Sequence, residues 1–407
     1  MIAKFPNSIV RLVVLFAAVL ALAEQSSLHA QQSGSVLFVR GADRSGGATE
    51  GSRVSDPFNI GGFTEQLADI RDPTGAVFRN NSTGNNNHSW FELASLLAAN
   101  GYSVEQTAES VEPGAAATGP TDGAGVTFDT GFQSATLADL NSNNGITQSR
   151  TLADYDVVVF GSNNAVYSAS QIDAVDTYIR GGGGAVFISD ANFGRVRGDA
   201  QRSDQQFLDR FGVLVNEDRG TYRLTRGDGS GSFAEFRDPS SLILAGVDEF
   251  DGEGVSPFTL PTNLSTLPAD VTAQIIAGVP AGQTVRGPGN NTRPATTSDA
   301  SLLALEAGNG RIIGHFDRNT FFNLNGAGTD INRFENAQLA LNIFEFTSSG
   351  FVLLGDINMD GGVGFGDIAP FIAVLQSGVF QAEADTNEDG VVDFGDIPGF
   401  IAILQGQ

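Results

Sequence analysis

A twelve-residue pattern occurs twice near the C-terminus, as Asp356-Ile-Asn-Met-Asp-Gly-Gly-Val-Gly-Phe-Gly-Asp367 and as Asp385-Thr-Asn-Glu-Asp-Gly-Val-Val-Asp-Phe-Gly-Asp396, with starts 29 residues apart. Three oxygen-bearing side chains on alternate residues, then a glycine, then an acid at the twelfth place converge only if the chain bends sharply about a point. Oxygens gathered in that way repel one another unless a cation sits among them. This is the arrangement of a calcium loop, which takes ligands from positions 1, 3, 5, 7 and 12. The first copy supplies Asp356, Asn358, Asp360, the Gly362 carbonyl and Asp367. The second supplies Asp385, Asn387, Asp389, the Val391 carbonyl and Asp396, and adds Asp393 at position 9. Gly361 and Gly390 stand at the position 6 bend, where the chain must turn most tightly. Two Ca2+ ions are therefore expected, and the extra carboxylate of Asp393 predicts tighter binding by the second loop. Aspartate at position 12 is shorter than the usual glutamate, so the helix that follows must lie closer to the ion.

Each loop runs into the same apolar spacing, Ile368, Phe371, Ile372, Leu375 and then Ile397, Phe400, Ile401, Leu404. That i, i+3, i+4, i+7 period is one stripe of a helix. The twenty-residue units beginning at Asp356 and Asp385 agree at thirteen positions, so a loop-helix unit has been duplicated. Only Val379 to Ala384 separate Gly378 from the second loop, which leaves no room for an entering helix. A loop followed by a helix, twice, without leading helices resembles the type I dockerin module across Leu354 to Leu404. The resemblance implies a unit that folds on calcium and docks onto a cohesin-like or other extracellular protein. It also implies that the partner is read by loop positions 10 and 11, here Phe365-Gly366 and Phe394-Gly395, where the family usually has small hydroxylated residues. The rival reading is a pair of calcium staples without a partner, because ion binding in so small a unit is itself folding energy.

Charge and address narrow the setting. The formal net charge is -25, which excludes nucleic acid as a partner. Residues 349–407 carry nine acidic residues and no Lys or Arg. Lys4 and Arg11 precede an apolar run from Leu12 to Ala23 and then Leu28-His29-Ala30, so residues 1–30 read as a signal peptide. A secreted, cell-surface or periplasmic protein is expected, with no membrane association after cleavage, since that run is too short to span a bilayer. The chain has no cysteine, which excludes disulfides and thiol chemistry.

Residues 31–348 alternate short apolar runs (Val36 to Val39, Asp156 to Gly161, Ala185 to Ser189) with helical patterns (Trp90 to Ala99, Ser170 to Arg180, Phe334 to Phe346). Strand and helix in alternation predict an α/β sandwich on a parallel sheet. Residues 44–87, 113–150 and 219–297 are heavy in Gly, Asn, Ser, Thr and Asp and read as loops and insertions, with hairpins near Thr221 to Leu224 and Ser232 to Phe236. The order of Val36 to Val39, the His88-Ser-Trp90 helix, Asn100-Gly101-Tyr102, Ala153 to Phe160, Tyr178 to Ser189 and Gly310 to Gly314 resembles the class I glutamine-amidotransferase-like fold, in its ThuA-like, non-amidotransferase branch. The fold class expected is therefore a flavodoxin-like parallel sheet sandwich with long insertions over 31–348, plus a small all-α, dockerin-like calcium module over 349–407.

The sequence names no catalytic residue for this body. Amidotransferases of the fold have a cysteine where Ser189-Asp190-Ala191 stands, so that chemistry is excluded. His315-Phe316-Asp317 occupies the place of their later histidine motif, although a hydrogen-bonded strand-end histidine is the simpler reading. Asp190 and Asn192 lie at the carboxyl end of a central strand, where α/β ligand sites form. Asp190 with Asp317 is the pair a glycosidase would need, and His88 with Trp90 would suit a sugar ring unless Trp90 is core. Gly181 to Gly184 precede a strand and lack the Lys-Ser/Thr ending of a phosphate loop, so they read as a helix stop. A carbohydrate-related ligand is expected, with a polysaccharide hydrolase and a non-catalytic surface protein as alternatives. The hydrolase follows only from what the dockerin resemblance implies.

Overall fold

Val36, Leu37, Phe38 and Val39 are all buried, which requires a strand covered on both faces. The computed structural model that shows this describes residues 34–40, 90–108, 127–142, 147–161, 167–189, 200–218, 220–226, 235–323, 329–348, 354–358, 363–377, 381–387 and 391–405. In chain order these form β1 (Ser35–Arg40), α1 (Phe91–Ala99), β2 (Ser103–Ala108), β3 (Phe132–Thr136), α2 (Leu137–Ser142), β4 (Gln148–Arg150), β5 (Val157–Phe160), α3 (Ala169–Arg180), β6 (Gly184–Ile188), α4 (Ala200–Leu208) and β7 (Leu214–Val215). There follow β8 (Thr221–Thr225), β9 (Glu249–Glu253), β10 (Phe258–Thr259), β11 (Val271–Gly278), β12 (Thr284–Arg286), β13 (Thr292–Pro294), β14 (Asp299–Ala307), β15 (Gly310–His315), α5 (Asn336–Ser348), α6 (Ile368–Ser377) and α7 (Ile397–Leu404).

The main sheet runs β4-β3-β2-β1-β5-β6-β15-β14-β10-β7, with β11 paired to β14. Its centre, β2-β1-β5-β6-β15, is parallel throughout, and the strands outside it are antiparallel. Leu37 lies opposite Glu105 on one side and Val158 on the other, and Ile312 opposite Ala185. Alternate residues feed two cores. Val36, Phe38, Val157, Val159, Val186 and Ile188 pack with α1 and α5, whereas Leu37, Val39, Val158, Phe160, Ala185 and Phe187 pack with α3 and α4. The body is thus an α/β/α sandwich with the flavodoxin-like strand order in its parallel part.

Glycines close the amino edge of this sheet. Helix α3 opens on a Ser168–Gln171 capping box and stops at Arg180, and Gly182 follows with φ +119°. A Cβ on Gly184 would lie 2.3 Å from the Thr347 carbonyl oxygen, and one on Gly310 1.9 Å from that of Ile179. The C-terminal turns of α5 and α3 therefore press directly on the starts of β6 and β15.

Two expectations are corrected. Residues 113–150 and 219–297 are not simply loops, since β3, α2, β4 and β8 to β13 lie within them. The Thr221–Thr225 segment pairs with Glu249–Glu253 rather than with its neighbour, while Phe236 makes a single bridge to Ala277. The cause is that short, two-faced strands gain their pairing from distant partners, which local composition does not report. Residues 44–87, like 1–30, lie outside the described residues.

The C-terminal helices have a core of their own, made by Ile357, Phe371, Ala384 and Phe400. Phe371 of α6 stacks on Phe400 of α7 with centroids 4.2 Å apart. Among the described residues no helix is long and apolar enough to cross a membrane.

Candidate functional site

The two repeats build the same hydrogen-bond frame. In the first, Asp367 accepts the Asn358 N–H on Oδ1 at 3.0 Å and the Gly364 N–H on Oδ2 at 2.8 Å. In the second, Asp396 accepts the Asn387 N–H at 3.1 Å and the Asp393 N–H at 2.8 Å. The position 12 carboxylate thus ties position 3 to position 9 in both loops, which folds each segment back on itself. Asp356, Asp367, Asp385 and Asp396 are all buried. No Lys or Arg exists anywhere in residues 349–407 to balance them. Buried carboxylates need compensating charge or strong hydrogen bonds, and each carboxylate oxygen that takes one N–H keeps a second lone pair. A hard, oxygen-seeking dication fits this donor set. Asn358, Asn387, Val391 and Asp393 are solvent-exposed beside the frame, and Asp393 also accepts the Gly395 N–H at 2.6 Å. Asp360, Gly362 and Asp389 lie outside the described residues, and among the described residues no three acidic or histidine side chains converge on one point.

The loops are joined to each other. The Gly355 N–H donates to the Glu383 carbonyl at 2.7 Å, and Gln381 Nε2 to the Ile357 carbonyl at 2.9 Å. Thr386 Oγ1 donates to the Asp396 carbonyl at 2.6 Å, and a Cβ on Gly399 would meet that same hydroxyl at 2.6 Å, so α7 is seated hard on the second loop. Phe365 and Phe394, at position 10, are 89% and 80% exposed, and Gly366 and Gly395 beside them are exposed too.

In the body, the candidates at the carboxyl edge prove to be committed to the fold. His315 ends β15 fully buried, its ring 4.7 Å from that of Phe321 and 4.9 Å from that of Phe316. Its Nδ1 accepts the Asp317 N–H at 3.3 Å, and Nε2 has no hydrogen-bond partner. Burial pulls its pKa down to about 3, so the ring is neutral. Asp317 is buried as well and accepts the backbone N–H groups of Asn319 and Glu253, which fastens β15 to β9. Ser189 donates its hydroxyl to Asp204 at 2.8 Å and its N–H to the His315 carbonyl at 2.8 Å. Trp90 is core, packed edge-on against Phe38, with Nε1 donating to the Arg318 carbonyl at 3.3 Å. That removes it as a sugar platform. His88, Asp190 and Asn192 lie outside the described residues.

One residue at this edge carries no sequence signal. Arg318 is buried, with Nη1 3.4 Å from the Gly161 carbonyl just past β5. It therefore sits beside the reversal of strand order between β1 and β5, where ligands of open α/β sheets bind. Neither periodicity nor motif marks it, since its position depends on β15 and β5 being brought together.

No protein-family model matches the chain, and no curated protein matches it. Solved structures give distant likenesses. A cytoplasmic protein from Salmonella typhimurium LT2 has a TM-score of 0.38 at 12% identity, over 77% of this chain and 99% of its own. A ThuA-like protein from Parabacteroides merdae has a TM-score of 0.34 at 12% identity, over 78% and 91%. A ThuA-like protein from Bacteroides uniformis has a TM-score of 0.33 at 11% identity, over 80% and 92%. Identities and TM-scores this low decide neither fold nor activity, and the fold rests on the strand order alone.

Proposed function

We propose that the chain is an exported modular protein whose C-terminal repeat pair is a dockerin-like module, folding on two Ca2+ ions and docking onto a cohesin-like or other extracellular partner, while its ThuA-like α/β body holds a carbohydrate-related ligand. One observation carries the calcium half of this reading. Four carboxylates are buried in the two repeats, two of them at the same frame position, within a stretch that has no basic side chain. Bound cations would offset this acid and so stabilise the frame.

For the body, support comes from the reversal of strand order beside Arg318, a position that favours a ligand at the carboxyl ends of β1 and β5. The rival reading, a polysaccharide hydrolase working through Asp190, His315 and Asp317, is weakened by the commitment of His315 and Asp317 to backbone hydrogen bonds in the interior. A purely structural surface protein with calcium staples keeps the ion sites and drops the partner.

The deciding experiment is calorimetric titration of the full chain with Ca2+, with limited proteolysis of residues 350–407 in calcium and in chelator. Uptake of two ions and protection that chelator abolishes are expected. No heat of binding and identical digestion in both buffers would remove the calcium reading. A screen for polysaccharide hydrolysis with Asp190→Ala and Asp317→Ala controls tests the rival: activity lost in variants that keep the native melting temperature would favour it, and no activity, or activity unchanged in both, would remove it.

A further inference from the structure

Between β10 and β11 the chain makes one short turn, Leu264–Thr266, opened by Asn263. Leu260 and Leu267 anchor it in the interior on either side, and every residue from 262 to 266 is exposed. Asn263-Leu264-Ser265 is Asn-x-Ser with x other than proline, the acceptor triplet for attachment of sugar to an asparagine side chain in exported proteins. Such a triplet counts only where a surface turn offers the amide nitrogen. Here it does. Asn263 Oδ1 accepts the Ser265 N–H at 3.1 Å and the Ser265 hydroxyl at 2.8 Å, while among the described residues Nδ2 donates to nothing. Capping the turn requires only an oxygen at this position, and Asp or Ser would supply one equally well. What asparagine adds is the nitrogen. A hydroxyl that donates to Oδ1 draws electron density toward oxygen, so the Nδ2 protons become easier to lose.

The other triplets are less available. Asn290-Asn291-Thr292 runs straight into β13, where Thr292 is paired with Arg286. Those beginning at Asn80, Asn81 and Asn87 lie outside the described residues. Resting on the reading of the chain as exported, we propose that Asn263 carries an N-linked glycan, transferred from an oligosaccharide borne on a polyprenyl diphosphate. Nδ2 attacks the anomeric carbon, the bond from that carbon to the diphosphate oxygen breaks, and the diphosphate leaves with the electron pair. One Nδ2 proton passes to a base of the transferase, and no redox partner is needed. A sugar at this place also shelters Leu264, an apolar side chain 50% exposed in the middle of the triplet.

The test uses the chain recovered from the organism that makes it. Trypsin, cutting after arginine, releases residues 238–286 as one peptide bounded by Arg237 and Arg286. Mass spectrometry is expected to find that peptide heavier by whole sugar units, with the mass on Asn263, and an amidase that cuts between glycan and asparagine should remove it. Asn263→Asp keeps the capping oxygen and removes the nitrogen, so the turn persists and the added mass is lost. Ser265→Ala should lose it too, and Ser265→Thr should keep it. A bare peptide from exported protein cleaved after residue 30, added mass on Thr262, Ser265 or Thr266, or added mass that survives Asn263→Asp overturns the inference. Retention of residues 1–30 on a chain found only inside the cell removes the export reading, and the inference with it.

Discussion

Acid should open the carboxyl edge of the body through His315. Folding holds this imidazole neutral, with its pKa lowered by burial from 6.5 to about 3. In the unfolded chain the ring protonates below 6.5, while in the folded chain it stays neutral until about pH 3. Across that window the unfolded state binds one more proton, so stability falls as pH falls. At 1.36 kcal/mol per pH unit, the gap between 6.5 and about 3 integrates to about 5 kcal/mol. That equals the whole stability of many domains. Protonation would also turn Nδ1 into a donor facing the Asp317 N–H, inside a box of Phe250, Phe316 and Phe321. The single tryptophan is a local reporter, because Trp90 Nε1 bonds the Arg318 carbonyl three residues along. Denaturant unfolding followed by Trp90 fluorescence, at steps from pH 7 to pH 4, gives the slope. His315→Asn keeps an acceptor for the Asp317 N–H and removes the proton. It should be less stable at pH 7, from lost packing, but its curve should fall less steeply by about 1.4 kcal/mol per pH unit below pH 6. Carboxylates elsewhere titrate in both proteins and cancel in the comparison. Parallel curves for the two proteins would refute the reasoning.

Gly310→Ala should cost on the order of 4 kcal/mol or more, because its Cβ meets backbone on the Ile179 side that has no room to yield. Gly364→Ala, whose Cβ meets nothing within 4 Å, should leave thermal stability nearly unchanged. Asp367→Asn and Asp396→Asn each set an amide donor against a backbone N–H that the carboxylate accepts, and in calcium each should destabilise the tail by at least about 1–3 kcal/mol, to similar extents because the two frames match. Hydrogen exchange of the tail amides reads this directly. In calcium, the second loop should bind more tightly owing to Asp393, and Asp393→Gly should equalise the two affinities in a calorimetric titration.

How much of this was legible beforehand differs between the two parts of the chain. The tail residues announce themselves because loop ligands, bend glycine and helical stripe all fall within twenty positions. The parallel strands of the body are legible as well, since Val36 to Val39 and Val157 to Phe160 are unbroken apolar runs. Asp299–Ala307 was not, although it is the antiparallel strand on which β15, β11 and β10 all pair. Its Leu- and Ala-rich sequence suits a helix equally well, and pairing on both sides overrides that preference.

The sequence by itself determined the repeat, the spacing of its oxygens, the acid imbalance and the apolar periods of helices and central strands, because each arises from residues near one another along the chain. Only the tertiary structure decided the strand order, the pressing of α3 and α5 on glycines, and the retirement of His315, Asp317 and Trp90 into the interior. Ser35 and Asp156 show the reason: the Ser35 N–H meets the Asp156 carboxylate at 2.6 Å across 121 residues. Burial is a property of such distant meetings, and it alone separates a reactive side chain from a structural one.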